Sequence, residues 1–216
     1  MHGPNRTSFV LALALLVAPP GVGAQPSPAQ PAEAWLTLER VRDRLAEQPQ
    51  SADFVQTYLP VGFSSGERET GRLALALPDC LRWDYRIPYP KSFLLCGETV
   101  YSWNEGETSG RQQRIDAGDQ PGLDLLRLII DRLQQRYEAA LEAAGDGQVE
   151  VILTPRDRGG EIANARFRID PAPARLVGLS YRDAEGNLTR FEISGYRPLT
   201  SRQLFTPPDE IDWIED

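Results

Sequence analysis

Residues 79–98 read DCLRWDYRIPYPKSFLLCGE, and they hold both cysteines of the 216-residue chain at equal distances from Pro88. Leu81, Trp83 and Tyr85 alternate with Arg82, Asp84 and Arg86, the period of a strand with one buried face. After the proline-broken IPYP, Ser92 to Cys96 can return as the antiparallel partner. A pairing centred on Pro88 sets Cys80 opposite Cys96, Arg82 opposite Leu94 and Asp84 opposite Ser92. Directly opposed residues have Cβ atoms about 4.5–5.5 Å apart, close enough to be bridged by a disulfide. Alternation then puts the sulfur atoms on one face and Leu81, Trp83, Tyr85, Phe93 and Leu95 on the other.

The start of the chain supports an oxidised pair. Residues 1–24 have a weakly positive beginning at the amino terminus and Arg6, an apolar run from Phe9 to Ala18, and small residues Val22, Gly23 and Ala24 before an expected cut. The apolar run is too short for a bilayer core, which needs about 20 residues. We expect a cleaved secretory signal peptide over 1–24 and a Pro/Ala/Gln-rich linker over 25–31, followed by one domain over 32–216. Removing 24 of the 216 residues leaves 192. In an oxidising compartment an even pair of cysteines reads as a disulfide. No cysteine stands near the cut, so no lipid anchor of the chain's own is expected.

Beyond the hairpin, AEAWLTLERVRDRLAEQ (32–48) sets Trp35, Leu38, Val41 and Leu45 on one stripe of an amphipathic helix. Strand patterns occur at ADFVQTYLP, ETGRLALAL, TVYSWN, GRQQRID, QVEVILTP, EIANARFRI, ARLVGLSYRD and NLTRFEISGY. Between them, residues 119–147 read as a second helix, with Pro121 near its first turn and a glycine-containing end. Its stretch Leu123 to Ile130 has almost no polar side, so it should be covered on more than one face. Ten or eleven strands and two helices must hide an apolar face, in a closed or half-closed barrel or in a curved sheet covered by helices.

Composition narrows the function. A formal net charge of −8 and a pI near 4.8 offer no basic patch for phosphates, so nucleic acid is not an expected partner. The single histidine, His2, leaves with the signal peptide. That removes imidazole bases, His-containing triads and zinc sites built from His and free Cys. Carboxylates are plentiful, yet no spacing or glycine-rich cradle singles any out. Neither an enzyme nor a cofactor is expected.

ADFVQTY, GRLALALPDCLRWDY, LLCGETVYSWNE, VEVILTPRD and FTPPDEI follow one another in an order and spacing that resembles the LolA family of periplasmic lipoprotein carriers, from about Ala32 to the end. The resemblance implies an α+β, mainly β fold: an incomplete, strongly curved antiparallel barrel of about eleven strands, with an N-terminal amphipathic helix and a helical lid. It implies a periplasmic chaperone whose hydrophobic cavity takes the acyl chains of lipoproteins from inner to outer membrane. Expected partners are an inner-membrane ABC-type release complex and an outer-membrane acceptor, with the carrier a monomer. Leu73, Leu75, Leu77, Leu81, Trp83, Tyr85, Phe93, Leu95, Tyr101 and Trp103 would line the cavity, and Leu126, Ile129 and Ile130 the lid. The same residues could equally fill an ordinary closed barrel core.

The alternatives within the resemblance are a paralogue carrying another lipid and a lipid- or protein-sensing module without transport. The acceptor itself is disfavoured because it should bear a lipidated cysteine. Where the family usually has an arginine that hydrogen-bonds the lid, immediately before the proline that is here Pro78, this chain has Leu77. Leu77 shares parity with Leu73 and Leu75, which implies a lid held by apolar contacts alone.

Overall fold

The computed structural model describes residues 29–115, 121–157 and 159–215. The expected signal peptide and residues 25–28 of the expected linker lie outside these. Helix α1 (Ala29–Glu47) begins three residues before the expected domain start and buries Ala34, Leu38, Val41 and Leu45 on one stripe. Trp35 is half-buried at the stripe's edge.

Six strands follow, each antiparallel to the one before: β1 (Gln50–Leu59), β2 (Glu67–Ala76), β3 (Cys80–Ile87), β4 (Lys91–Cys96), β5 (Thr99–Asn104) and β6 (Ser109–Arg114). Helices α2 (Pro121–Arg127) and α3 (Ile130–Arg136) interrupt the meander. A second run is made of β7 (Tyr137–Gly145), β8 (Gln148–Pro155), β9 (Ile162–Asp170), β10 (Arg175–Asp183) and β11 (Leu188–Pro198). Strand β11 returns to pair with β1, joining both runs into one twelve-stranded sheet, and β12 (Asp212–Glu215) adds to β6 in parallel. The sheet curls around an apolar cluster to which all three helices contribute. Its edge strands, β12 and β7, are not paired with each other among the described residues, so the barrel is incomplete.

The opening hairpin has the expected register, with Cys80 opposite Cys96, Arg82 opposite Leu94 and Asp84 opposite Ser92. Cys80 and Cys96 are disulfide-bonded, with Cα atoms 4.3 Å apart.

The second helix departs from expectation. It breaks at Leu128, whose φ of 53° is left-handed, into two helices of 7 residues each. Its last part, YEAALEAAG, is strand β7. Alanine, glutamate and leucine favour helix intrinsically, but this stretch pairs with β8 along its length and buries Tyr137 and Ala139. Gly145, Asp146 and Gly147 all have positive φ and form the tight connection to β8. Strand β12, only 4 residues long, has no counterpart among the expected strands.

Candidate functional site

On the concave side of the sheet, cross-strand rows stack into a wall. Leu75, Leu81 and Leu95 form one row across β2, β3 and β4, and Leu73, Trp83 and Phe93 the next. Leu77 is buried beyond the first row, and Trp83 is only 7% exposed. Opposite stand Leu176 and Leu179 of β10 and Phe191 and Ile193 of β11, with Leu45 of α1 and Leu126 of α2 closing the space. The β10 and β11 residues are not among those singled out from the sequence; alternation in NLTRFEISGY marks Phe191 and Ile193 as inward-facing, whereas Leu176 and Leu179 differ in parity and share the face through a bulge between Leu176 and Gly178.

The enclosed free volume is about 20 Å³, roughly the room of one water molecule. This is a collapsed apolar interior, and any ligand with several methylenes must displace the parts that fill it.

An aromatic band lies beside this space. Phe54 and Tyr85 meet edge to face at 5.1 Å between ring centroids, and Tyr85 meets Phe93 at 5.9 Å. Gly71 lies between Phe54 and Tyr85 in the register. A Cβ there would collide with the Asp84 backbone carbonyl and come within 2.8 Å of the Phe54 ring, so close approach of both β3 and the ring requires glycine. Tyr85 donates to Gln56 Oε1 at 2.6 Å, and burial pushes its phenol well above the ordinary tyrosine range.

The lid is α2 and α3. Leu125, Leu128, Ile130 and Leu133 are buried, and Leu126 faces the cavity. Ile129 is half-buried at the N-cap of α3 and lies outside the apolar cluster. Asp124 binds the two lid helices together, accepting from Arg132 Nη1 at 3.0 Å, with Arg136 Nη1 3.8 Å away. Burial raises the Asp124 carboxyl above its usual value, and the arginines oppose that shift.

Arg127, at the end of α2, donates Nε to the Pro78 carbonyl at 2.7 Å and Nη1 to the Gly97 carbonyl at 2.9 Å. The expectation of a lid held by apolar contacts alone is therefore corrected. Leu77 joins the apolar wall, and a polar tie runs instead from a lid arginine to the two hairpin turns beneath it.

Tyr101 and Trp103 are also corrected. Tyr101 lies opposite Leu94 and Trp103 opposite Ser92, so both share the convex face with the disulfide. Trp213 of β12 packs edge to face on both, at 5.0 and 5.7 Å, and the Arg82 guanidinium lies over the Trp103 ring at 5.0 Å. Gly110 permits this, because a Cβ there would come within 2.6 Å of the Trp213 ring. Of the expected cavity residues, the concave side gathers Leu73, Leu75, Leu77, Leu81, Trp83, Tyr85, Phe93 and Leu95 with Leu126 and Ile130 in one cluster.

The family described as outer membrane lipoprotein carrier protein LolA matches residues 48–207. The chain belongs to the LolA family. Among relatives of this LolA-family chain is an outer-membrane lipoprotein carrier protein of Xanthomonas campestris pv. campestris (strain B100), 30% identical over 162 residues, which are 69% of this chain and 74% of that one. A protein of the same description from Chromobacterium violaceum is 26% identical over 171 residues, covering 76% and 80%. Among solved structures, an uncharacterized conserved protein from Thermus thermophilus matches 85% of this chain and 99% of its own, with a TM-score of 0.54 at 14% identity. A chain of the Pseudomonas aeruginosa MucA/MucB complex matches 84% of this chain and 63% of its own, with a TM-score of 0.52 at 12% identity. The two structural likenesses are of fold alone. LolA is a family of lipoprotein carriers, not of enzymes.

Proposed function

We propose that this protein is a periplasmic chaperone that takes the acyl chains of lipoproteins into its concave apolar space and carries them from inner to outer membrane. It would receive cargo from an ABC-type release complex and yield it to an acceptor lipoprotein. The observation that supports this reading is an incomplete barrel whose apolar interior is covered by a two-piece lid, with almost no free volume beneath it.

Magnitudes favour exchange. Uncovering Leu125, Leu126 and Leu128 costs about 1.5–3 kcal/mol each, roughly 5–9 kcal/mol together, and ten acyl methylenes kept from water regain about 8 kcal/mol. Entry of lipid can thus balance lid opening once the chains have left the membrane, the step for which the release complex supplies energy. Release needs a partner that offers the chains an equally apolar place.

The test is capture and transfer. Inner-membrane vesicles loaded with a radiolabelled lipoprotein and supplied with ATP should release it into solution only when the purified protein is present, and outer-membrane vesicles should then take it up. Label that stays on the vesicles at every carrier concentration would overturn the reading.

A further inference from the structure

Along the concave side, the strands change character from one end to the other. On β3 the inward residues run Leu81, Trp83, Tyr85, and their burial falls from nearly complete to half-buried before a bulge ends the alternation. On β2 they run Leu75, Leu73, Gly71, Glu69, and on β1 Ala52, Phe54, Gln56, Tyr58, with the same decline. At the transition Tyr85 donates to Gln56, and Lys91 Nζ donates to Glu69 Oε1 at 2.7 Å while lying 4.6 Å above the Tyr85 ring. A barrel that only had to close its core would gain little from a lysine and a glutamate here, because half-exposed ion pairs contribute roughly 0–1 kcal/mol.

We propose that Gln56 and Lys91, with Tyr85 fixing the Gln56 amide through its own hydrogen bond, form a site that orients cargo by hydrogen-bonding the ester or amide carbonyls where acyl chains join the polar part of a lipid. The proposal rests on the carrier reading above and adds the chemistry recognised at the mouth. Apolar contacts are non-directional and cannot by themselves decide which end of an amphiphile enters first. Gln56 and Lys91 can, and Tyr85 holds the first of them in place. With Tyr85 donating to its oxygen, Gln56 keeps both amide N–H donors, and Lys91 keeps two of its three. An ester carbonyl is an acceptor only, which is the complement of this set. Glu69 neutralises Lys91, so the site carries no net charge. It therefore favours a neutral acylglyceryl or acylamide linkage over a phosphate or a free carboxylate.

The experiment measures displacement of a polarity-sensitive naphthylamine dye from the full mature protein by three ligands: 1,2-dioctanoylglycerol, hexadecane and palmitate. The proteins compared are wild type, Tyr85→Phe and the double variant Gln56→Leu/Lys91→Met, each first checked for an unchanged thermal transition. Tyr85→Phe is nearly isosteric and serves alone if the double variant does not fold. The expected result is at least a fivefold loss of dioctanoylglycerol affinity in the variants with hexadecane unchanged, and palmitate weaker than the diester in wild type. Unchanged diester affinity would overturn the assignment, as would an equal loss for diester and hexadecane, while leaving the carrier reading in place. If no ligand displaces the dye from wild type, the carrier reading fails and the assignment falls with it.

Discussion

The two faces of the β3–β4 hairpin are built in opposite ways. Outside, Cys80 is bonded to Cys96, Arg82 pairs with Asp84 at 2.8 Å, Ser92 donates to the same carboxylate, and the rings of Tyr101, Trp103 and Trp213 interlock. Inside, Leu81, Trp83, Phe93 and Leu95 belong to the apolar cluster, with Phe93 against the edge of Tyr85. Covalent and directional contacts hold one shape, whereas apolar contacts accept any apolar partner of suitable volume. Within two short strands, side-chain alternation separates what must stay fixed from what must be exchangeable.

The largest expected effect comes from placing a charge on the inner face. Trp83→Glu should bury an unpaired carboxylate beside Leu73 and Phe93, lowering stability by more than about 4 kcal/mol in urea unfolding. The same change at Trp103 puts the carboxylate beside Arg82 and should cost less than about 2 kcal/mol. Equal costs at the two positions would erase the distinction between the faces.

Next is the staple. Cys80→Ser/Cys96→Ser should lower stability by up to about 3 kcal/mol, the value for a closed loop of roughly 15 residues, and leave lipoprotein capture intact. Loss of capture at matched folding would show that the outer face shapes the inner one. A smaller effect is expected from Trp213→Ala, about 2 kcal/mol, since the ring is only half-buried.

Arg127→Met should change global stability least. Its bond to Gly97 is exposed and its bond to Pro78 part-buried, so their loss should free the lid by about 1–2 kcal/mol. Amide hydrogen exchange should quicken roughly tenfold in α2 and α3, with the urea midpoint nearly unmoved. Unchanged lid exchange would mean that apolar contacts alone set the closed state.

The hairpin is legible in the sequence because mirror-placed cysteines and strict alternation determine a register by themselves. The outward placing of Tyr101 and Trp103 is legible too, once parity is carried through the two-residue turn Gly97-Glu98: with Cys96 opposite Thr99, every odd position of β5 shares the sulfur face. Aromatic character alone points to the cavity instead, and parity overrides it. Strand β7 is hidden because its Ala- and Glu-rich run favours helix locally, and only pairing with β8 and cover from α1 decide otherwise. Arg127 is hidden for another reason: its acceptors lie 49 and 30 residues before it.

The C-terminal segment has a consequence in time. Cys80 and Cys96 are 16 residues apart on one hairpin, so they can meet as soon as that hairpin forms. What lies over Cys96 is made much later: the Phe205 carbonyl oxygen, 109 residues further along the chain, sits 3.6 Å from Cys96 Sγ. The bond can thus form before the Phe205 segment is placed, and the settling of that segment covers one side of Cys96.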